Sequence, residues 1–306
     1  SERGGFVKCH LQQLAGVFAY SMASIDSKNF HRDSFSCPFL YCINAAGNQM
    51  LKKQAICSVA YLKRGKDRYN IIEGKGGAMD IKLHYQEKGS GYPLILLHGN
   101  GEDGSRFRHQ IEYFSKEYRV IAIDTRGQGE SPRGTAPFTF EQFAQDLLDF
   151  MNEHSIFRAN ILGFSDGGIT ALLFTLKNPE RVNKLILNGA NLDFEGLIPP
   201  IQERIATKAK EAAEKKDESE EAMRRYELLN LMATQPAIDP VKLAKLETPT
   251  LVIVGTNDMI SADHTELIYK SLPKAELVLI QGDHFVAYDN PVAFNSAVDK
   301  FLKEFM

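Results

Sequence analysis

The residues of this 306-residue chain whose types and spacing could do chemistry begin with a serine held between glycines. Residues 163–168 read Gly-Phe-Ser-Asp-Gly-Gly, after an apolar run at 160–162 and before a helical pattern at 169–176. A G-x-S-x-G segment at such a junction is a sharp strand-to-helix turn, whose glycines allow close backbone approach and whose serine hydroxyl stands clear of the sheet. The dipole of the following helix favours negative charge that develops nearby. This context predicts that Ser165 is a nucleophile; the alternative is a turn that only joins a strand to a helix.

A serine hydroxyl needs a general base that is itself oriented by a carboxylate, and for this turn the chain order is serine, acid, histidine. Asp258 follows the apolar run 251–254, and His284 follows the run 277–280. The carboxyl ends of parallel strands meet at one edge of the sheet, where ligands bind. These positions predict that Ser165, Asp258 and His284 form a catalytic triad.

Other acids and histidines fit these roles less well. Asp263 lies further from the end of its strand, and Asp193 follows a different strand. Five histidines follow no strand end in this way, and we expect them on the surface: His31, His84, His109, His154 and His264. His10 lies outside the predicted core.

An oxyanion hole for this chemistry needs one backbone N–H from the residue after the serine and one from a loop after an earlier strand. Asp166 and Asn100 occupy those positions, Asn100 within the His-Gly-Asn-Gly segment 98–101 that follows the run 94–97. We expect His98 to form structural hydrogen bonds rather than to act as a second base. The Asp166 side chain has two alternative roles, a cap on the following helix or a partner for a substrate ammonium group.

Apolar runs separated by amphipathic stretches predict the sheet that must position these residues. The first of seven expected strands alternates as an edge strand does, and the others are continuously apolar, as burial on both faces requires. They lie at 81–85, 94–97, 120–123, 161–162, 185–187, 251–254 and 277–280. This order indicates an α/β fold, with an open, mostly parallel sheet and helices on both faces.

A charge-dense helical stretch interrupts the alternation after the strand at 185–187. We expect it to form a small helical cap at about 193–238, inserted between two strands of the sheet. Its charged residues predict a solvated helix face: Arg204, Lys208, Glu211, Lys215 and Glu218. Apolar residues at 228–232 would line a pocket over the sheet edge.

The composition is typical of a globular protein with a small-molecule partner. Hydrophobic residues make up 43% of the chain and charged residues 25%, and the formal net charge is -3. A nearly neutral net charge of this kind does not favour binding to the phosphate backbone of a nucleic acid. No apolar run approaches the roughly 20 residues of a membrane helix. We therefore expect neither a nucleic acid nor a membrane as partner.

The first quarter of the chain differs from the rest. It carries a formal charge of +6 before Met79, against -9 from Met79 onward, and it holds all four cysteines, at positions 9, 37, 42 and 57. Their spacing suits no common zinc site, so we expect free thiols and a cytoplasmic protein. Residues 1–78 are interpreted as an N-terminal extension of unknown role, a fusion or an upstream segment, and 79–306 as one domain. The alternative is an extra strand at 69–72 that pairs with 81–85.

Taken together, the motifs of residues 79–306 resemble the α/β-hydrolase fold superfamily in its capped form. Besides the segments around Ser165, Asp258 and His284, the resemblance includes 98–101 and the segment Asp-Thr-Arg-Gly-Gln-Gly-Glu-Ser at 124–131. It implies scaffold roles for Asp124 and Arg126. The Ser-Asp-Gly-Gly form of the turn resembles that of valacyclovirase-type amino-acid ester hydrolases. Related caps occur in carbon–carbon bond hydrolases and in the menaquinone-pathway lyase, and residues 1–78 match nothing in the family.

These residues predict a serine hydrolase that cleaves a small carboxylic ester through an acyl-enzyme and needs no metal or organic cofactor. A carbon–carbon bond hydrolase or lyase of the same fold is one alternative. A non-catalytic ligand-binding relative is another, since one fold hosts many functions. The acyl and alcohol specificity and the oligomeric state do not follow from the sequence.

Overall fold

A computed structural model of the protein describes residues 60–64, 69–73 and 80–304. The chain divides into two units, Ser1–Gly76 and Gly77–Met306. In the first unit, strand β1 (Ala60–Arg64) pairs antiparallel with strand β2 (Tyr69–Glu73). The alternative pairing of residues 69–72 with 81–85 stays a prediction. The cysteines, His10 and His31 lie outside the described residues, and the role of 1–78 as an extension stays a prediction.

The second unit is built on a seven-stranded sheet. Its strands are β3 (Tyr85–Lys88), β4 (Tyr92–Leu97), β5 (Tyr118–Ile123), β6 (Ala159–Phe164), β7 (Val182–Asn188), β8 (Thr250–Gly255) and β9 (Ala275–Ile280). The spatial order is β3-β5-β4-β6-β7-β8-β9, with β3 antiparallel to β5 and the remaining neighbours parallel. The predicted open, mostly parallel α/β sheet is confirmed.

The first strand of this sheet begins later than predicted, at Tyr85 rather than at residue 81. Side chains hold the preceding segment in place of a strand ladder, since the N–H of His84 donates to the Ser131 hydroxyl at 2.8 Å. Asp80 accepts hydrogen bonds from the backbone N–H groups of Thr135 and Ala136. The alternation at 81–85 therefore reflects an anchored loop that leads into a shorter strand.

Eight α-helices alternate with the strands of this unit. They are α1 (Arg108–Phe114), α2 (Phe140–Glu153), α3 (Asp166–Lys177), α4 (Pro199–Lys215), α5 (Glu220–Thr234), α6 (Ala262–Ser271), α7 (Val286–Asp289) and α8 (Pro291–Lys303). Short 3₁₀ segments lie at Gly104–Phe107, Pro179–Arg181, Phe194–Gly196 and Pro240–Lys245. Helix α2 begins at Phe140, because the preceding Thr139 side chain accepts a hydrogen bond from the N–H of Gln142 and so caps the helix.

Helices cover both faces of the sheet, because successive side chains of a strand point to opposite sides. On β4, Ile95 and Leu97 pack into a core with residues of α2 and α3, and Leu94 and Leu96 pack into a second core with residues of α1 and α8. All four side chains are at most 1% exposed. This two-sided burial explains the continuous apolar runs of the central strands.

Helices α4 and α5 form the cap between β7 and β8. The five charged residues expected on its solvated face, at positions 204, 208, 211, 215 and 218, are all exposed. Ile205 of α4 is buried against Leu197 and Ile260, which connects the cap to the body of the unit. A bidentate ion pair from Arg133 to Glu227 of α5, with distances of 2.8 and 2.6 Å, forms a second connection.

Asp124 and Arg126 hold the segment after β5. The Arg126 side chain is fully buried, and its guanidinium donates to both carboxylate oxygens of Asp146, at 2.7 and 2.6 Å, and to Asp80. The Asp124 carboxylate accepts the backbone N–H groups of Gly104, at 2.7 Å, and of residue 130, at 2.9 Å. Both contact only the scaffold, as the resemblance implied.

Candidate active site

Ser165 lies on the tight turn between β6 and α3. Its φ of 53° and ψ of -119° are unusual for a residue with a Cβ atom, and such conformations cluster at functional sites. The turn requires glycine on both sides, since a Cβ at Gly163 would collide with the carbonyl oxygen of Gly167, and one at Gly167 with that of Leu97. The N–H of Ser165 donates to the carbonyl of Asn188 on β7 at 2.8 Å. The serine is thus held at the carboxyl edge of the sheet.

His284 and Asp258 form a buried pair at the same edge. His284 Nδ1 lies 2.7 Å from Asp258 Oδ1, and each side chain is less than 10% exposed. The carboxylate is oriented by the backbone N–H groups of Ile260, at 3.0 Å, and Gly255, at 3.3 Å. Because the carboxylate accepts the Nδ1 proton, the lone pair of the neutral imidazole lies on Nε2. That atom is buried and has no hydrogen-bond partner within the part of the chain that the structure describes.

The loop after β4 leaves one of its backbone N–H groups free for a ligand. The N–H of Gly99 donates to the Glu102 carboxylate at 3.2 Å, and that of Gly101 donates to Gln128 Oε1 at 2.6 Å. In residues 80–304 no acceptor faces the N–H of Asn100. Asp166 is the first residue of α3, where the helix itself supplies no acceptor for the N–H. These two N–H groups have the availability that an oxyanion hole requires.

The Asp166 carboxyl group is buried and held by Asn100. Asn100 Nδ2 donates to Asp166 Oδ2 at 2.7 Å, and only 6% of Asp166 is exposed. Burial raises the pKa of Asp166 to about 6, against the opposing effect of the hydrogen bond from Asn100. Within 80–304, the Asp166 side chain caps no N–H of α3, and its Oδ1 accepts no hydrogen bond.

A narrow cleft lies beside Ser165 and beneath the cap. Most of the lining side chains are aliphatic or thioether groups. Besides the serine, the polar groups are two carboxamides and the Asp166 carboxyl group. The lining residues are Ser165, Asp166, Ile169, Asn191, Leu197, Ile205, Met232, Gln235, Met259 and Ile260. None of these lining residues is a lysine, an arginine or a histidine. The cleft therefore presents a mostly apolar lining beside the serine, and its lining residues offer no cation to a substrate carboxylate.

Comparison with known proteins agrees with this architecture. A model of the alpha/beta hydrolase fold family matches residues 92–210. The serine hydrolase BPHL of Homo sapiens is 27% identical over 76% of this chain and 87% of its own length. The solved structure of the enol-lactonase from Burkholderia xenovorans LB400 has a TM-score of 0.62 and 26% identity, and the match covers 73% of this chain and 97% of that one.

The chain has the α/β-hydrolase fold and is similar to hydrolases of that superfamily. A third relative is the 2-hydroxy-6-oxo-6-(2'-aminophenyl)hexa-2,4-dienoic acid hydrolase of Metapseudomonas resinovorans, 27% identical over 78% of this chain and 93% of its own length.

The other candidate acids of this α/β-hydrolase-fold chain lie away from His284 Nδ1. Asp193 accepts the N–H of Gly196 at 2.9 Å and caps a 3₁₀ segment. Asp263 is exposed in the first turn of α6. The structure thus brings Asp258, and neither alternative, to the histidine.

The remaining histidines within residues 80–304 have structural contacts. His98 is buried, its Nε2 accepts the N–H of Thr125 at 2.9 Å and its Nδ1 contacts the Gly99 carbonyl at 2.8 Å, which confirms its expected structural role. Burial lowers the pKa of His98. The surface prediction for His264 is wrong: it is only 8% exposed, since its Nε2 accepts the N–H of Leu192 at 2.9 Å. His84, His109 and His154 are half-buried.

Several residues around the site were not predicted from the sequence. Phe164 and Phe285 flank the His284 ring, with ring centroids 4.9 and 5.6 Å away, and both are sequence neighbours of predicted site residues. Asn191 closely follows the end of β7, so its position at a strand end was a usable signal. Gln235 carries no such signal, because it reaches the cleft only through the path of the cap.

Residues 60–64, 69–73 and 80–304 contain no group of three or more His, Cys, Asp or Glu side chains that could hold a metal ion. Among the helices of the same residues, none is long and apolar enough to cross a membrane.

Proposed function

We propose that the protein is a serine hydrolase that cleaves a small carboxylic ester through an acyl-enzyme. The observation that carries the proposal is the buried pair of His284 and Asp258 at the sheet edge that bears Ser165. The Nδ1 of His284 is held by the carboxylate, and among the described residues its Nε2 has no hydrogen-bond partner. This arrangement is that of a general base kept in one tautomer and oriented by a carboxylate.

In the first half of the reaction, Ser165 Oγ attacks the ester carbonyl carbon while His284 Nε2 takes the hydroxyl proton. The carbonyl electron pair moves to its oxygen, which accepts hydrogen bonds from the N–H groups of Asn100 and Asp166. When the tetrahedral intermediate collapses, the alcohol leaves with the proton from His284, and Asp258 stabilises the imidazolium throughout. Water then repeats the sequence on the acyl-enzyme, which releases the acid and restores the serine.

The charge of the cleft favours an uncharged or cationic ester over an acid substrate. A dienoic acid, as in the name of the Metapseudomonas resinovorans relative, carries a carboxylate. In this cleft that carboxylate would meet Asp166 and no lysine, arginine or histidine from the lining residues. Burying an unpaired anion beside a carboxylate is unfavourable, so carbon–carbon bond cleavage of such acids is the second candidate.

A fluorophosphonate probe tests the proposal. We expect stoichiometric labelling of wild-type protein, mapped to Ser165 by mass spectrometry, and none in Ser165→Ala. A panel of p-nitrophenyl and alkyl esters of varied acyl length, run beside a dienoic acid, measures the substrate class. Labelling without ester turnover but with dienoate turnover would favour the second candidate. Ligand binding without labelling or turnover would make the protein a non-catalytic relative.

A further inference from the structure

We propose that the side chain of Asn100 is a positioning element that holds the two halves of the oxyanion hole together and sets the cap against them. The inference rests on the proposed function, because it assigns a task within the same site.

The Asn100 carboxamide connects three separate elements through one NH₂ group. Nδ2 donates to Asp166 Oδ2 at 2.7 Å and to the carbonyl of Leu228 at 3.1 Å. Asp166 begins α3, and Leu228 lies in α5 of the cap. Since a carboxamide nitrogen has two hydrogens, both are used, and neither remains for a substrate. The donors of Asn100 therefore act on Asp166, at the start of α3, and on the cap.

The same two residues that offer backbone N–H groups to an oxyanion are joined through their side chains. A change in the separation of the two N–H groups would have to stretch the 2.7 Å hydrogen bond between Asn100 and Asp166. That bond has an ionised acceptor in a buried site, and charge-assisted bonds of this kind are stronger than neutral ones. It is thus suited to maintaining the geometry that transition-state stabilisation requires.

The cap is anchored at two consecutive residues of α5. The carbonyl of Leu228 accepts a hydrogen bond from Asn100, which lies in the loop after β4 (residues 98–101, the oxyanion loop). Glu227 pairs with Arg133, which lies in the loop before α2. Only the first anchor touches the residues of the proposed oxyanion hole. The second anchor therefore supplies a matched control, because breaking it loosens the cap and leaves the Asn100 contacts unchanged.

The test is a donor–acceptor exchange. In Asn100→Asp two carboxylates face each other, and in the double variant with Asp166→Asn the hydrogen bond returns with its direction reversed. Misplacement of a catalytic group costs up to about 100-fold, so we expect Asn100→Asp to lower kcat by about 10- to 100-fold with KM within about 3-fold. Affinity for a trifluoromethyl ketone, whose adduct with the serine carries an oxyanion, should fall in parallel. The double variant should recover the part of both losses that depends on the hydrogen bond between residues 100 and 166, while the contact with the Leu228 carbonyl stays lost because a carboxylate has no donor.

Asn100→Ala should reproduce the losses of Asn100→Asp, and it keeps the test decisive if the charged variant does not fold, as checked by circular dichroism. Glu227→Gln should leave kcat and inhibitor affinity within about 3-fold of wild type, because it spares the oxyanion loop. Wild-type kinetics in Asn100→Ala, additive losses in the double variant, or equal effects of Glu227→Gln would each overturn the inference. Fluorophosphonate labelling of Ser165 is the separate check on the proposed function, so either proposal can fail alone.

Discussion

His284 Nδ1 lies 2.7 Å from Asp258 Oδ1, although the two residues are 26 positions apart and follow different strands. Strands β8 and β9 are parallel neighbours, and Gly255 is opposite Ile280 in their register. The loops after these strands therefore emerge side by side, which brings the carboxylate to the imidazole without any contact that is local in sequence.

Ser165→Ala and His284→Ala should each lower ester turnover by about 10⁴- to 10⁶-fold, and the double variant should lose little more, because triad members act as a unit. Steady-state kcat and KM of the three variants provide the measurement, with thermal unfolding as a check on the fold. Multiplicative losses in the double variant would mean that the two residues act independently.

Asp258→Asn should cripple turnover, and Asp263→Asn should remain close to wild type, because only Asp258 contacts His284. An asparagine presents an amide where the imidazole needs an acceptor, so the wrong tautomer is favoured. The two variants have the same chemical change and are measured under the same conditions. If both variants retained activity, Asp193 would become the candidate for the acid of the triad.

A protein that begins at Met79 should be folded and active, because residues 80–304 contain all seven strands of the large sheet, the cap and the proposed triad. A shorter protein that begins at Lys82 is the matched comparison. It lacks Asp80, one of the two carboxylate partners of buried Arg126, and should melt several degrees lower. Soluble but inactive protein from the Met79 start would contradict the interpretation of 1–78 as an extension.

Esters with an α-amino group should be preferred over their desamino analogues by roughly 10- to 100-fold, because a charge-assisted hydrogen bond is worth about 1.5 to 3 kcal/mol. Asp166 Oδ1 is the acceptor in this prediction. The ratio of kcat/KM values should decline as the pH falls through about 6, where the Asp166 carboxyl group gains its proton. Asp166→Ala should abolish the preference; an equal preference in both proteins would make the substrate a plain ester.

Asp166→Asn should raise the melting temperature at pH 7.5. The pKa of Asp166 is higher in the folded protein, at about 6, than its ordinary value of 3.8, so the folded state binds the proton more tightly. The contribution of this group to the free energy of unfolding is therefore full below pH 3.8 and is lost as the pH rises to about 6. The loss is about 3 kcal/mol, at about 1.36 kcal/mol per pKa unit. The stabilisation by Asn should shrink between pH 6 and pH 4; a pH-independent difference would refute the burial argument.

The predictable parts of this protein depend on short stretches of sequence. Continuous apolar runs located the central strands because these are buried on both faces, and residues directly after those runs lie at one sheet edge. The start of β3 and the burial of His264 were not predictable in this way, since they depend on Ser131 and on the N–H of Leu192, which are distant in sequence.

By itself, the sequence determined the α/β architecture, the order of the strands along the chain and the polar residues that follow them, because periodicity and turn chemistry are local properties. The spatial strand order, the partners of Asn100 and the charge of the cleft were decided only by the tertiary structure. Asn100 and Leu228 are 128 residues apart, and the burial that raises the pKa of Asp166 exists only once the chain has packed around it. Such contacts result from how separate elements pack, and no local pattern encodes them.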